Sequence, residues 1–305
     1  MFRHLLVPLD GSRLAERALP AAAFCARSLA ASLTLVHVIE RNAPAEAHGE
    51  RHLTTVAEAA AYLSETARGP LLAGLRVTTH VHEAGVRDVA RAITEHTEEL
   101  APDLVVMSTH GRGGARRLIV GDIAQQVIAM GTTPVLLVRA SAGRQSTVPA
   151  TGFRTILAPI DGDPDHEKGL PAAAELARSC KARLHLIMVV PTLGRLSGER
   201  GAAGRLLPGA ARVLLEMDHD GATEYLQRHA HALAGQGLTV TWEASRGDPA
   251  RTIVAAARRQ AVDLVIMGTH RKAGAEAFWA GSVASRVIAR LEVPLLLVPL
   301  PQAAP

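Results

Sequence analysis

The internal repeat is the feature that most constrains this chain, because a sequence order that occurs twice requires a fold that occurs twice. The segment HLLVPLDGS (4–12) returns as TILAPIDGD (155–163), and four later segments return in the same order. The separation grows from 151 to 160 positions along the copies, so the second copy has a longer middle. The 305 residues therefore predict two domains of one kind, 1–140 and 153–300, joined by a Ser-, Gly- and Pro-rich linker.

Within each copy, short apolar runs such as LLVPL and LVVM alternate with longer Ala-rich helical stretches. Continuously apolar strands that alternate with helices are typical of parallel sheets covered on both faces. We therefore expect an α/β protein made of two doubly wound domains. Each is a five-stranded parallel sheet with helices on both faces. The middle parts of the two copies differ. We expect a helix over about 52–68 in the first copy, and a surface loop over 191–214 followed by a helix at about 222–234 in the second.

Composition narrows the class of protein. An apolar share of 48% with 20% charged residues is that of a globular domain, and no run is long enough to span a membrane. Only 3% of residues are aromatic and the net charge is +4, which argues against a nucleic-acid partner. No signal peptide is evident, and Cys25 and Cys180 lie in helical stretches without metal-ligand spacing. We expect a cytoplasmic protein with two buried free thiols and no membrane partner.

Two features fall at strand ends, where ligands of open parallel sheets bind. Asp10 and Asp161 follow the first strand of each copy, and Gly-rich segments follow the fourth strand. An acid can accept hydrogen bonds from a ribose hydroxyl or an adenine amine, while backbone N–H groups of a Gly-rich loop and a helix start suit phosphate. The pattern GxxxxGK[ST] is absent, so the chain is not a P-loop NTPase. The combination predicts a nucleotide site in each copy.

These residues carry a family resemblance: nearly all of the chain resembles two universal stress protein domains in tandem. ATP-binding members of that family show Gly, two residues, Gly, nine residues, then Gly-Ser or Gly-Thr. The second copy reads Gly268, two residues, Arg271, nine residues, then GS at 281–282. The first copy reads Ser108, two residues, Gly111, nine residues, then GD at 121–122. Each copy therefore departs from the pattern at a different place.

The resemblance implies a role for each matching position, with ATP as the ligand. In the first copy it implies adenosine contacts at Pro8, Asp10 and Val38. It implies a ribose- and phosphate-binding loop at Met107, Ser108, Gly111, Arg112, Gly121, Asp122 and Ile123. The counterparts in the second copy are Pro159, Asp161, Val189, Met267, Gly268, Gly281, Ser282 and Val283.

The departures favour the first copy as the better site. Serine at position 108 is tolerated wherever the backbone φ is negative. Asp122 is a good helix N-cap, but its carboxylate would repel the terminal phosphate unless Mg²⁺ bridged the two. Arg271 replaces a loop glycine at a cost on the order of 1 kcal/mol where φ is positive, so we expect the second site to be weak or empty.

Histidine pairs offer a second kind of site. His80 and His82 share one face of a probable strand, but zinc needs at least one further ligand, which the sequence does not identify. Partly exposed residues at a sheet edge are the favoured interpretation. His229 and His231 point different ways on a helix. No nucleophile is paired with a base, so we expect no enzyme activity beyond slow ATP hydrolysis at most.

The last strands, PVLLV and PLLLV, are very apolar for elements near a sheet edge, and an uncovered edge tends to pair with another. The resemblance implies that the copies pair through this strand as an intrachain pseudo-dimer, and a homo-oligomer is left open. The helix after each Gly-rich loop carries a core-facing stripe, Ile123, Val127 and Ile128 in the first copy.

Two functions are compatible with these expectations. In the first, the protein is an adenine-nucleotide-sensing module in stress response, with an unknown protein partner. In the alternative, both sites are lost and the tandem acts as a scaffold through protein–protein contacts.

Overall fold

A computed structural model describes residues 1–41, 46–47, 50–110, 122–140, 152–192, 208–269 and 282–300. The strands of the first half are β1 His4–Pro8, β2 Ser32–Glu40, β3 Glu46–Ala47, β4 Glu50–Arg51, β5 Val77–Val86, β6 Leu104–His110 and β7 Val135–Ala140. Its helices are α1 Arg13–Glu16, α2 Leu19–Leu29, α3 Val56–Arg68, α4 Val89–Glu99 and α5 Asp122–Met130. The second half has strands β8 Thr155–Ile160, β9 Arg183–Val190, β10 Val240–Arg246, β11 Leu264–Thr269 and β12 Leu295–Pro299. Its helices are α6 Gly169–Cys180, α7 Pro208–Ala234, α8 Pro249–Arg259 and α9 Val283–Ile288. Two 3₁₀ turns cover Pro70–Leu72 and Pro164–His166.

The strands of both halves form one ten-stranded sheet in the order β10-β9-β8-β11-β12-β7-β6-β1-β2-β5, and β3 and β4 form a separate hairpin. Neighbouring strands are parallel within each half, and β12 pairs with β7 antiparallel, with Leu296 opposite Leu136. The two apolar last strands therefore cover each other, and the expected intrachain pairing is confirmed.

Helices cover both faces of this sheet. On one face, α2, α3, α6 and α7 pack over a buried cluster that includes Leu33, Leu63, Leu184 and Leu226. On the other, α4, α5, α8 and α9 pack over a second cluster. Each cluster contains residues from both halves, so the core continues across the junction, and the predicted α/β architecture is confirmed.

The duplication extends to backbone details. Ala30 and Lys181 end equivalent helices in left-handed conformation, both with φ of 53°. Oδ2 of Asp103 accepts hydrogen bonds from the backbone N–H groups of Arg3 and His4, at 2.7 and 3.0 Å. Asp263 makes the same pair of contacts in the second half, at 2.8 and 2.9 Å. The two halves are thus built by the same local interactions.

The chain enters its second half beside the first. The ring of Phe153 meets that of Phe24 edge to face, with centroids 5.1 Å apart. Gly152 has φ of 77°, and a Cβ there would lie 2.0 Å from Cε2 of Phe24. Across the junction, Arg139 donates to the backbone carbonyl of Leu291 at 3.3 Å. Close packing therefore fixes the start of the second half against α2.

Two expectations about helices are wrong. Residues 208–214, predicted as loop, belong to α7, which begins at Pro208 and not at about 222. In this part of the helix Leu215 is buried while Leu214 is 61% exposed. Apolar residues lie on the exposed face of this helix as well as on its buried face. The sequence therefore shows no clear helical period here, and the buried face was not predicted. Ile123 is 43% exposed, whereas Val127 and Ile128 are buried as predicted.

Candidate functional site

The candidate site lies where the strand order reverses. From β1 the chain moves to β2 on one side, and it later returns to β6 on the other side of β1. In the second half, β8 lies between β9 and β11 in the same way. The carboxyl ends of β1 and β6 therefore flank one crevice, as do those of β8 and β11, which is the place where such sheets bind ligands.

Asp10 follows β1 at the edge of the first crevice, held by its own turn. Its Oδ1 accepts hydrogen bonds from the backbone N–H and the hydroxyl of Ser12, at 2.9 and 2.6 Å. The Ser12 hydroxyl in turn accepts from the N–H of Ala15 at 3.1 Å and caps α1. The carboxylate is thus oriented before any ligand arrives.

His37 holds the residue before this turn in place. Its role was not predicted from the sequence. Its Nδ1–H donates to the carbonyl of Leu9 at 2.8 Å, in the residue before Asp10. His37 is 1% exposed, and burial lowers its pKa, partly offset by the backbone hydrogen bonds. A neutral imidazole thus fixes the end of β1. The only signal in the sequence is a histidine within the apolar run of β2.

The remaining predicted residues of the first copy line the same strand ends. Pro8 ends β1, Val38 lies near the end of β2, and Met107 and Ser108 lie in β6. Val38 and Met107 are each 7% exposed and Ser108 is 5% exposed. Ser108 does not adopt positive φ. Serine therefore fits this position without backbone strain, as expected.

The Gly-rich segments themselves, with Gly111, Arg112, Gly121, Arg271 and Gly281, lie outside the described residues. A helix begins directly after each segment. Asp122 is the first residue of α5 and is exposed. Ser282 caps α9, where its hydroxyl accepts from the N–H of Ser285 at 3.0 Å. Ile123 and Val283 lie in the first turns of these helices, and the predicted helix starts are confirmed.

The second crevice repeats the positions with different contacts at its acid. Pro159 lies in β8, Val189 in β9 and Met267 in β11. Asp161 follows β8, where its Oδ1 accepts from the N–H of Asp163 at 3.1 Å. Its other oxygen, Oδ2, lies 2.6 Å from Nδ1 of His166. An imidazole therefore engages the acid here, where a serine hydroxyl does so in the first copy.

Gly268 of the second copy has no space beside it for a side chain. Its φ is not positive, but a Cβ there would lie 2.6 Å from the carbonyl oxygen of His166 and 2.9 Å from Cδ2 of Leu300. Contacts under 3.0 Å with backbone force the structure to move. Glycine is therefore required for space, whereas the first copy accommodates Ser108.

A tyrosine–glutamate pair recurs beside both crevices and was not predicted. The Tyr62 hydroxyl donates to Oε1 of Glu16 at 3.0 Å, and the Tyr225 hydroxyl donates to Oε1 of Glu167 at 2.7 Å. Burial and the nearby carboxylates raise the pKa of Tyr62 well above its ordinary value and that of Tyr225 to about 12. Both phenols stay protonated and tie α3 and α7 to the turn after the acid. The two glutamates, 151 positions apart, were the available signal.

The histidines of the edge strand β5 meet a third histidine. Nδ1 of His82 lies 3.0 Å from Nε2 of His96 on α4, and the ring of His80 lies edge to face with that of His96. His96 is buried, which lowers its pKa, and the neighbouring His80 lowers it further. Within the described residues, no group of three or more ligands is arranged to hold a metal ion. The histidines lie at the sheet edge, as the favoured interpretation expected.

Comparisons with known proteins agree with this architecture. A sequence profile described as the universal stress protein family matches residues 1–139 and again 152–299. Universal stress protein MJ0531 of Methanocaldococcus jannaschii is 28% identical over 150 residues, covering 49% of this chain and 84% of that protein. Universal stress protein YxiE of Bacillus subtilis is 28% identical over 151 residues, covering 46% of this chain and all of that protein. The chain belongs to the universal stress protein family and carries two of its domains in tandem.

Solved structures show the same fold over the whole length. A universal stress protein from Archaeoglobus fulgidus superposes with a TM-score of 0.68 at 16% identity, covering 97% of this chain and 96% of that one. A putative universal stress protein from Pseudomonas aeruginosa superposes with a TM-score of 0.66 at 18% identity, covering 98% and 94%. At such identities the likeness concerns the fold. Among the described helices, none is both long and apolar enough to cross a bilayer.

Proposed function

We propose that the first half of the chain binds an adenine nucleotide, with ATP as the leading candidate, in the crevice between the carboxyl ends of β1 and β6. The pairing of β1 with β6 is the observation that carries this proposal. It brings Asp10 to the same edge from which the Gly-rich segment 111–121 departs. An acid and a Gly-rich segment at one switch point are the two parts that a nucleoside and its phosphates require.

The described residues fit such a ligand. A carboxylate accepts hydrogen bonds from donors such as an adenine amine or a ribose hydroxyl, and Ser12 holds the carboxylate of Asp10 in place through two hydrogen bonds. Val38 and Met107 offer apolar surface for the base. The first turn of α5 offers unpaired N–H groups to phosphate. Asp122 in that turn opposes the phosphate charge, which favours the nucleotide as its Mg²⁺ complex, with the ion supplying charge neutralisation.

Binding would act as a signal rather than begin a reaction. The nucleotide would connect the strand ends to segment 108–122 and stiffen it, together with the surface that a protein partner contacts in a cytoplasmic stress response. The carboxylate of Asp10 is already held by the Ser12 hydroxyl, so we expect it to bind a ligand rather than to take part in a reaction. We propose a regulatory module and no enzyme activity.

Matched aspartate variants test the assignment. Asp10→Ala removes the acid of the first crevice, and Asp161→Ala removes its counterpart and serves as the control. A hydrogen bond to a charged group contributes about 1.5–3 kcal/mol, so Asp10→Ala should weaken MgATP binding about ten- to hundredfold in calorimetry. Asp161→Ala should leave the tight site unchanged. Equal affinity of Asp10→Ala and the unaltered protein would refute the site.

A scaffold that binds no nucleotide is the second candidate, and the continuous ten-stranded sheet favours it. Both core clusters contain residues from the two halves, so the halves form one continuously packed unit without a ligand. If the protein is such a scaffold, it melts in one transition that MgATP does not move. If it binds nucleotide as proposed, MgATP at about a hundred times its Kd adds about 2.7 kcal/mol of stability.

A further inference from the structure

The acid of the second crevice is engaged by a turn whose counterpart in the first copy is the helix α1. Position 166 corresponds to Ala15, which lies 151 residues earlier inside α1. In the second copy the 3₁₀ turn Pro164–His166 occupies this place. Its His166 side chain reaches Asp161 with 2.6 Å between Nδ1 and Oδ2. Because a carboxylate accepts hydrogen bonds, Nδ1 carries the proton and donates it.

The charges around the ring strengthen this contact. Nε2 of His166 lies 3.5 Å from Oδ2 of Asp163, so the imidazole sits between two carboxylates. Oδ1 of Asp161 meanwhile accepts from the N–H of Asp163. Both oxygens of Asp161 are therefore engaged from within the same short segment. A nucleoside donor would have to share Oδ2 with the imidazole or displace it.

The backbone of the same turn closes the other side of the crevice. The carbonyl oxygen of His166 lies so near Gly268 that a Cβ on the glycine would come within 2.6 Å of it. Gly268 is the second-last residue of β11, and Asp161 follows β8, the strand that pairs with β11. One residue thus contacts the acid through its side chain and the glycine through its carbonyl. The turn lies over both strand ends that a ligand would need.

We propose that His166 is a built-in cap that holds the second crevice against adenine nucleosides and nucleotides, so that the two halves differ in occupancy. This inference rests on the proposed function, because it concerns the same class of ligand. The cap mimics the ligand: its N–H donates to Asp161 as an adenine amine or ribose hydroxyl would. The difference in nucleotide occupancy between the halves is therefore due to the turn after β8, in addition to the change at Arg271.

Three substitutions test the cap. His166→Ala copies Ala15 of the first half and removes the donor. His166→Asn keeps an N–H donor at the place of Nδ1 and should keep the crevice capped. His229→Ala is the control for a nearby histidine, because its Nε2 lies 3.5 Å from Oε2 of Glu167, a different acid. Thermal melting of each variant checks that the fold is intact.

The binding is measured in the Asp10→Ala background, where the first crevice is weakened about ten- to hundredfold, with adenosine and MgATP as probes. Adenosine carries no phosphate, so it reports on Asp161 with little influence from Arg271. A solvent-exposed contact between two polar side chains is worth a factor of about two to five in an equilibrium. We expect Asp10→Ala/His166→Ala to bind adenosine about two- to fivefold tighter than Asp10→Ala, while the His166→Asn and His229→Ala doubles stay within error of it. Equal Kd values for adenosine with and without His166 would overturn the cap.

The same series separates this inference from the proposed function. If the chain with Asp10 intact binds about one MgATP and His166→Ala adds no second site and no affinity for adenosine, the cap is wrong and the proposed function stands. If the intact chain binds no nucleotide but His166→Ala creates a site that Asp161→Ala removes, the cap is supported and the first-half assignment fails. If neither binds, both are overturned.

Discussion

Replacing Gly152 with alanine tests the packing that joins the two halves, and Gly74 supplies a control with almost the same backbone. Gly152 has φ of 77° and Gly74 has φ of 78°. An added Cβ at Gly74 meets nothing within 4 Å, whereas one at Gly152 lies 2.0 and 2.2 Å from two carbons of the Phe24 ring. The two substitutions therefore share the backbone cost and differ in the clash.

The expected magnitudes come from these two contributions. A left-handed conformation costs an L-residue roughly 1–2 kcal/mol, and the loss of glycine entropy in the unfolded chain returns about 0.4–1 kcal/mol. Gly74→Ala should therefore lower the free energy of unfolding by about 1 kcal/mol. Overpacking adds about 1–3 kcal/mol at Gly152, so Gly152→Ala should cost about 2–4 kcal/mol. With an unfolding entropy of about 2.1 cal/mol/K per residue, each kcal/mol lowers the Tm of a 305-residue chain by about 1.6 °C. The Tm should therefore fall by roughly 3–6 °C in Gly152→Ala and by roughly 1.5 °C in the control.

The assay is urea unfolding followed by circular dichroism, with thermal melting as a second readout. Phe24→Ala removes the ring, so Gly152→Ala should cost no more than Gly74→Ala in that background, and the cycle should show a coupling of at least about 1 kcal/mol. If Gly152→Ala and Gly74→Ala agree within about 0.5 kcal/mol, the start of the second half does not pack against α2 as described.

Three further outcomes can be measured on the same preparations. Stability should be undiminished above pH 6.5 and should fall as the pH drops towards the lowered pKa values of the folded state, by up to ~4 kcal/mol per pH unit; urea unfolding at pH 7.5, 6.5 and 5.5 checks this. Burial lowers the pKa of three histidines in the folded state: His37, His96 and His185. Below pH 6.5 the unfolded chain therefore binds protons that the folded chain does not, and acid favours unfolding. Leu215→Ala should cost about 2–4 kcal/mol and Leu214→Ala less than about 0.5, because only Leu215 is buried; equal costs would contradict the buried face of α7. Gly268→Ser should cost about 1–3 kcal/mol through the carbonyl of His166, and Ser108→Gly less than about 1; melting temperatures in which Ser108→Gly is the more damaging change would refute the spatial argument.

Much of the fold could be predicted because it depends on sequence patterns that occur twice in the chain. The alternation of apolar strands with Ala-rich helices predicts a doubly wound sheet. The apolar last strands, together with the family resemblance, predict the junction at β7 and β12. The start of α7 could not be predicted in this way. Exposed Val213, Leu214 and Met217 there hide the period of the buried face, and the Gly-rich segment before them is typical of loops.

The site was predictable where its residues stand at strand ends and not where the structure brings distant residues together. The positions of Asp10 and Asp161 could be inferred because each comes directly after an apolar strand, β1 or β8. The His37 contact with Leu9 joins residues 28 positions apart, and the Tyr62 contact with Glu16 joins residues 46 apart. His166 is close to Asp161 in sequence, but only the fold of its turn shows that its side chain reaches the acid. Such contacts depend on tertiary structure, which local pattern does not contain.

The most direct test of nucleotide binding by the first half is a count of nucleotides on the purified protein. The protein is denatured without added ligand and then after dialysis against MgATP, and the released adenine nucleotide is identified and counted by chromatography and mass spectrometry. We expect about one nucleotide per chain, lost in Asp10→Ala and kept in Asp161→Ala. No nucleotide under either condition, with no change in Tm on adding MgATP, would contradict the proposed function and favour the scaffold.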